Sequence, residues 1–90
     1  MRRVVWSPRA LDDLGAIENY ISSFNPIAGR ALAGRVIDAA NSLAESPNRG
    51  VPASRGARHL TIVQPYLIRY RVRAGRVEII TIRHGARRPL

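Results

Sequence analysis

The sequence predicts an α+β domain in which a hairpin of two helices packs on one face of a small, mainly antiparallel sheet. Three observations lead to this prediction. Two segments, starting at Ser7 and Asn25, open with a capping residue followed by proline and continue with apolar residues at helical spacing. The second half of the chain is instead rich in β-branched and aromatic residues. Gly75 separates two such runs, as the turn of a β-hairpin requires.

The predicted order of elements is β-α-α-β-β-β in one domain of 90 residues. A first strand over residues 2–6 alternates Val4 and Trp6 on one face with Arg3 and Val5 on the other. A first helix follows from Ser7 to about residue 22, since apolar residues recur there every three or four positions. The residues of this stripe are Ala10, Leu14, Ile17, Ile21 and Phe24.

A second helix is predicted from Asn25 to Ser46, after a connection short enough to make a helix hairpin. Its apolar stripe is Ala28, Leu32, Val36, Ala39 and Leu43. Residues 48–57 combine glycine, proline and arginine, a composition that favours an exposed, mobile basic loop. Strands are predicted over residues 59–63, 66–72 and 76–82, with the first strand of the chain at an edge or paired with a later strand.

The apolar stripes and the alternation of the strands predict one core between the helices and the sheet. Its expected members are Leu14, Ile17, Val36, Leu43, Ile68 and Tyr70. The aromatic residues Trp6, Tyr20, Tyr66 and Tyr70 are expected to pack in this core or at its rim. The six carboxylates are dispersed, and helix capping and surface charge account for them.

The composition narrows the classes of partner and of chemistry. The net charge is +9 and all fifteen basic residues are arginine, so an acidic protein or a nucleic acid is the expected kind of partner. With no cysteine and two histidines, the chain predicts no metal and no other cofactor. No apolar run has the length of a membrane span, which predicts a cytoplasmic protein without a membrane partner.

Several short motifs, in their order along nearly the whole chain, resemble the ParE branch of the RelE/ParE toxins. They are Trp6-Ser7-Pro8, Asn25-Pro26, the strand Tyr-Leu-Ile-Arg-Tyr-Arg-Val at residues 66–72, and His84-Gly85-Ala86-Arg87. The resemblance implies the toxin of a bacterial type II toxin–antitoxin module, neutralised by a cognate acidic antitoxin in a hetero-oligomer. ParE-like toxins inhibit DNA gyrase by binding it. The alternative is a RelE-like, metal-independent endonuclease that cuts mRNA on ribosomes.

Leu67, Arg69 and Arg71 are the candidate antitoxin-binding residues. They alternate with Ile68 and Tyr70 and therefore point away from the helices. An ordinary solvated face is the simpler interpretation of this pattern. A groove is the functional one, in which the leucine anchors an acidic segment and the arginines pair with its carboxylates. The resemblance implies that an antitoxin tail binds across this region.

The end of the last strand carries the candidate target-binding residues, Arg83, His84, Arg87 and Arg88. If the protein is a nuclease, the candidate catalytic residues are Arg58, Arg83, His84 and Arg87, since arginines bind phosphate and histidine transfers protons near neutral pH. Compared with RelE-type nucleases, Arg83 matches a basic residue of the last strand. Leu67 replaces a basic residue of the penultimate strand, and the terminal proton-transfer group has no clear counterpart. The resemblance therefore favours gyrase over the ribosome as the target.

Overall fold

The computed structural model describes residues 1–85, and these form two helices packed on one face of a five-stranded sheet. The strands are β1 (Arg3–Trp6), β2 (Val51–Pro52), β3 (Arg58–Val63), β4 (Tyr66–Arg73) and β5 (Arg76–His84). The helices are α1 (Pro8–Ser22) and α2 (Pro26–Ser42), and a single 3-10 turn spans Ser54–Gly56. The α+β prediction is confirmed, with β2 as an additional short strand.

The sheet has the strand order β1-β5-β4-β3-β2, so β4 is its central strand. β4 runs antiparallel to both of its neighbours, β3 and β5, and Gly75 allows the β4–β5 reversal because its φ is +75°. β1 pairs in parallel with β5, from Arg3 opposite Arg76 to Trp6 opposite Ile79. The prediction that the first strand lies at an edge and pairs with a later strand is confirmed.

Both helices begin where the sequence predicts, because both caps form. The Ser7 hydroxyl accepts a hydrogen bond from the Ala10 backbone N–H at 2.9 Å. The Asn25 side-chain oxygen accepts one from the Ala28 N–H at 3.1 Å. Each contact satisfies a donor that has no partner within its own helix. α2 ends at Ser42, earlier than the predicted Ser46.

The backbones of the two helices come close together at Gly29 of α2. A Cβ atom at this position would lie 2.9 Å from the Glu18 carbonyl oxygen and 2.9 Å from the Ser22 nitrogen, both in the backbone of α1. Only glycine therefore fits at this contact. Among the other small residues of α2, Ala33 and Ala40 are buried, whereas Ala31 and Gly34 are exposed.

One core lies between the helices and the sheet, as predicted. Val36, Leu43, Ile68 and Tyr70 are fully buried, and Leu14 and Ile17 are partly buried against them. The core also contains three buried residues of β5. These are Val77, Ile79 and Ile82.

Two aromatic residues do not belong to the core, contrary to the prediction. Tyr20 is 62% exposed and Phe24 is 73% exposed, and their rings contact each other edge to face at 5.2 Å. Phe24 continues the apolar spacing of α1, but the helix ends at Ser22 and the chain has already turned away from the sheet.

The segment at residues 48–57 is largely exposed, as predicted, and the sheet holds it at several points. The buried Tyr70 hydroxyl donates to the Pro47 carbonyl at 2.7 Å and accepts from the Gly50 N–H at 2.9 Å. Gly50 and Ala57 are buried, and the short strand β2 pairs with β3. Glycine and proline thus mark turns here, while a distant tyrosine fixes the segment against the core.

Asp13 also has a role that its sequence position does not indicate. Its carboxylate accepts hydrogen bonds from the Thr81 hydroxyl and from the Ile82 backbone N–H, the latter at 3.1 Å. Surface charge was the expected role of this residue, and that expectation is wrong. The contact joins α1 to the part of β5 that extends beyond its pairing with β1.

The core predicts a large difference between two leucine-to-alanine variants. Leu43→Ala removes a fully buried side chain and should lower the free energy of unfolding by about 2–5 kcal/mol. Leu11→Ala is the matched control, because Leu11 is 55% exposed and its truncation should change stability by less than about 0.5 kcal/mol. Urea denaturation followed by circular dichroism measures both. Equal losses would show that the core is assigned wrongly.

The helix–sheet contact is tested by two neighbouring aspartates. Asp13→Ala leaves the Thr81 hydroxyl and the Ile82 N–H without their acceptor and should cost about 1–3 kcal/mol of stability. Asp12→Ala removes the same charge from an exposed position of the same helix and should have little effect. A shift in the urea midpoint distinguishes them, and two equal shifts would contradict the assigned contact.

Candidate functional site

The face of the sheet opposite the helices carries a cluster of basic residues and one leucine, called here the cationic face. It consists of His59, Leu67, Arg69, Arg71 and Arg83, with Arg55 of the 3-10 turn at its rim. The strand register brings these residues together, since His59 of β3 lies opposite Arg69 of β4 and Leu67 lies opposite Arg83 of β5. Period-two alternation keeps them away from Ile68 and Tyr70, which face the core.

Arg69 and His59 form the centre of the cationic face. The Arg69 Nη1 atom lies 3.0 Å from His59 Nε2. Because arginine stays protonated and only donates, Nε2 accepts this bond and the imidazole proton sits on Nδ1. Burial lowers the pKa of His59, and the nearby Arg69 and Arg83 lower it further. His59 is therefore a neutral imidazole at physiological pH, surrounded by cations.

Three arginines hold the segment between α2 and β3. Arg69 donates to the Ser54 carbonyl at 2.9 Å, Arg71 to the Arg55 carbonyl at 3.1 Å, and Arg58 to the Gly50 carbonyl at 2.6 Å. Arg69 and Arg71 are half-buried as a result, whereas side chains on an ordinary solvated face would be exposed. Arg58 pairs with the core residue Tyr70 across the strands and does not reach the cationic face.

The positive charges of the cationic face have little compensation from carboxylates. Burial, followed by Arg83, Arg71 and Arg55, lowers the pKa of Arg69. Glu78 lies opposite Arg71 in the register, but its carboxylate bonds Arg76 at 2.9 Å and Arg73 at 3.4 Å. The hydrogen bond from Arg76 is the main reason that the pKa of Glu78 is lowered. The cationic face is thus suited to an anionic ligand.

His84 lies on the other side of the sheet. It ends β5, contacts the Tyr66 ring edge to face at 5.3 Å, and lines a cleft with Ala16, Ile17 and Tyr20 of α1. Its Nδ1 atom is buried and has no hydrogen-bond partner among the described residues. Neighbouring positions on a strand point to opposite faces, so Arg83 and His84 serve different surfaces.

The structure therefore brings together some of the candidate site residues and separates others. Leu67, Arg69, Arg71 and Arg83 share the cationic face, whereas Arg58 and His84 lie outside it. The candidates Arg87 and Arg88 lie outside the described residues.

His59 and Arg55 are members of the cationic face that the sequence did not single out for it. The alternation of β3 could have indicated the face of His59 only together with the β3–β4 register, which the sequence alone does not give. Among residues 1–85, no group of three or more histidine or carboxylate side chains is placed to hold a metal ion. Neither helix in this range is long and apolar enough to cross a membrane.

Comparisons with known proteins agree with this architecture. Residues 4–89 match the family described as the ParE toxin of the type II toxin–antitoxin system parDE. The chain is 52% identical over 87 residues to Toxin RelE2 of Caulobacter vibrioides, covering 97% of this chain and 99% of that protein. It is 36% identical over 86 residues to Putative toxin Y4kP of Sinorhizobium fredii, covering 93% and 88%.

Two solved structures share the fold. One comes from the chromosomal ParDE toxin–antitoxin system of P. aeruginosa, with a TM-score of 0.81 and 24% identity over 93% of this chain and 96% of that one. The other is YafQ from E. coli, with a TM-score of 0.56 and 14% identity over 96% of each chain. The matched family and both sequence relatives are described as toxins. The chain belongs to the ParE toxin family of type II toxin–antitoxin systems.

Proposed function

We propose that this toxin acts by binding DNA gyrase and trapping the enzyme on DNA, and that a cognate acidic antitoxin neutralises it by binding the cationic face. The observation that carries the choice of gyrase is the separation of the two histidines, which leaves no pair of imidazoles that could act together as acid and base. His59 lies on the cationic face, and His84 lies in the cleft beside α1.

Cleavage of RNA by its own 2′-hydroxyl needs a base for that hydroxyl, an acid for the leaving oxygen and cations on the phosphate. The cationic face supplies cations and one imidazole. Tyr70 is not available as the second proton-transfer group, because its hydroxyl is buried and bonds Pro47 and Gly50. Residues 86–90 contain no histidine, tyrosine or carboxylate side chain. This incomplete set supports a toxin that acts by binding.

The second candidate function is the ribosome-dependent mRNA endonuclease, and one observation favours it. His59 lies beside Arg69 and Arg83, and its Nε2 atom, once released from Arg69, would be able to take a proton from a hydroxyl held near a phosphate. The resemblance in fold to YafQ is compatible with both functions, because a shared fold does not fix the activity.

The antitoxin proposal is supported by the charge of the cationic face and by its one apolar member, Leu67. Leu67 offers an apolar contact on a face otherwise occupied by guanidinium groups, so an amphipathic acidic segment fits it. Such a segment would replace the repulsion among Arg69, Arg71 and Arg83 by charge-assisted hydrogen bonds. The P. aeruginosa relative in fold comes from a ParDE toxin–antitoxin system, which supports an antitoxin as the partner of this chain as well.

Arg71→Gln tests the antitoxin proposal. Arg71 makes one exposed hydrogen bond to the loop, so its loss should leave the fold intact. Removing its charge should weaken the complex about tenfold, or by about 1.4 kcal/mol, and should reduce the salt dependence of binding. Glutamine is preferred to glutamate here because Glu78 lies opposite position 71. Isothermal titration calorimetry with the purified antitoxin measures the effect.

Arg30→Gln is the matched control for this experiment. It removes the same charge from an exposed position on α2, on the other side of the molecule from the cationic face. The control should bind the antitoxin nearly as tightly as the wild type. Equal weakening by both variants would show that net charge, and not the cationic face, determines the affinity.

The choice between gyrase and mRNA is tested by two assays on the same purified toxin. We expect inhibition of gyrase supercoiling with accumulation of cleaved DNA, and no cleavage of mRNA on ribosomes. His59→Gln and His84→Gln should both keep most of the gyrase inhibition, since glutamine retains hydrogen bonding. Removal of residues 85–90 should abolish it, because Arg87 and Arg88 are among the residues proposed to bind the target.

The nuclease alternative predicts the opposite result, namely mRNA cleavage that depends on a histidine. A catalytic histidine replaced by glutamine should lower the rate of mRNA cleavage by about 10²–10⁴-fold while antitoxin binding persists. Loss through His59→Gln would place the reaction on the cationic face, and loss through His84→Gln would place it in the cleft beside α1. Either result would exclude the gyrase proposal.

A further inference from the structure

Arg55 has a backbone conformation that its side chain does not favour. Its φ is 60° and its ψ is 35°, which is the left-handed region. This region is unfavourable for residues with a Cβ atom, and glycine adopts it without cost. Gly56, the next residue, also has a positive φ, of 73°. Strained residues of this kind persist only where the surrounding structure holds them, and they cluster at functional sites.

The side chain at position 55 adds a charge to the cationic face. Arg55 is exposed, and its guanidinium is close enough to Arg69 to lower the pKa of that residue. The sheet holds the turn in place, since Arg69 and Arg71 donate to the carbonyls of Ser54 and Arg55. The turn that contains the left-handed Arg55 thus adds one more positive charge to a surface that is already positively charged. Such crowding is unfavourable for the free protein and favourable for binding a polyanion.

We propose that the cationic face, completed by the left-handed Arg55, binds the phosphate backbone of double-stranded DNA. Four guanidinium groups contribute to it, from Arg55, Arg69, Arg71 and Arg83. Arginine binds phosphate with paired hydrogen bonds in addition to its charge. The inference goes beyond the proposed function, because the toxin alone would bind DNA, without gyrase.

The cationic face carries no tryptophan, tyrosine or phenylalanine, and its imidazole, His59, is bonded to Arg69, which favours a duplex over a single strand. Single-stranded nucleic acids are bound largely through stacking of bases on aromatic side chains, whereas a duplex presents only its phosphates to a non-specific partner. Every aromatic residue of the chain is accounted for elsewhere. Trp6 and Tyr70 pack in or against the core, Tyr66 contacts His84, and Tyr20 and Phe24 contact each other.

The test is fluorescence anisotropy of a short labelled DNA duplex of mixed sequence, titrated with the full-length toxin freed of its antitoxin. Four phosphate contacts predict a slope of log affinity against log salt of about −3.6, which is a loss of about 150-fold between about 50 and 200 mM salt. Arg55→Gly should reduce the slope to about −2.7 and weaken binding at low salt. Arg55→Lys should restore most of the slope.

Two controls show whether the effect of Arg55→Gly on DNA binding is specific to this residue. Arg55→Gly should leave the melting temperature unchanged or raise it, because glycine relieves the left-handed conformation. Arg30→Gln, which removes one charge from α2, should keep the wild-type slope. If Arg55→Gly weakens DNA binding without lowering stability, the effect is due to a lost contact with DNA and not to a change in folding.

Three outcomes would overturn the proposal. The first is an Arg55→Gly variant with the wild-type slope. The second is an equal loss of DNA affinity in Arg55→Gly and Arg30→Gln, which would show that net charge alone determines the binding. The third is tighter binding of single-stranded RNA than of the duplex at equal salt. Gyrase inhibition measured in parallel keeps the two proposals apart, since an Arg55→Gly toxin that has lost DNA binding and still inhibits gyrase leaves the gyrase proposal intact.

Discussion

The alternation of side chains along the central strand β4 is the constraint on which the rest of the molecule depends. Ile68 and Tyr70 point toward the helices and are fully buried, while Arg69 and Arg71 point the other way. A shift of one residue in the register would exchange these two sets and place guanidinium groups in the core. The same eight-residue strand therefore fixes both the stability of the domain and the location of its charged surface.

Side chains on both faces of β4 also bind the segment that precedes β3. Tyr70 reaches past the core to the backbone of Pro47 and Gly50, and on the opposite face Arg69 and Arg71 bind the carbonyls of the 3-10 turn. A loop with little apolar content is thereby fixed by hydrogen bonds instead of by burial of side chains. The unusual conformation of Arg55 is tolerated because both faces of the strand hold its neighbours.

The sequence predicts what is local and misses what depends on distant partners. The starts of both helices follow from Ser7 and Asn25, whose capping bonds span three residues. The β4–β5 hairpin follows from Gly75. By contrast, the contact between Asp13 and Thr81 joins residues 68 positions apart. The meeting of His59 with Arg69 and Arg83 requires the register of three strands, including a bulge between Arg69 and Tyr70 that no short motif indicates.

The parallel pairing of β1 with β5 has a consequence for synthesis of the toxin. Ser7, which follows β1, bonds the Ile80 carbonyl, 73 residues further along the chain. At about 5–20 residues per second, the ribosome makes this partner roughly 4–15 s after Ser7 itself. Throughout that interval β1 has no strand to pair with, and the core lacks Val77, Ile79 and Ile82. Nascent chains therefore stay incompletely folded until β5 has left the ribosome, and a complete cationic face appears only then, because Arg83 belongs to this strand.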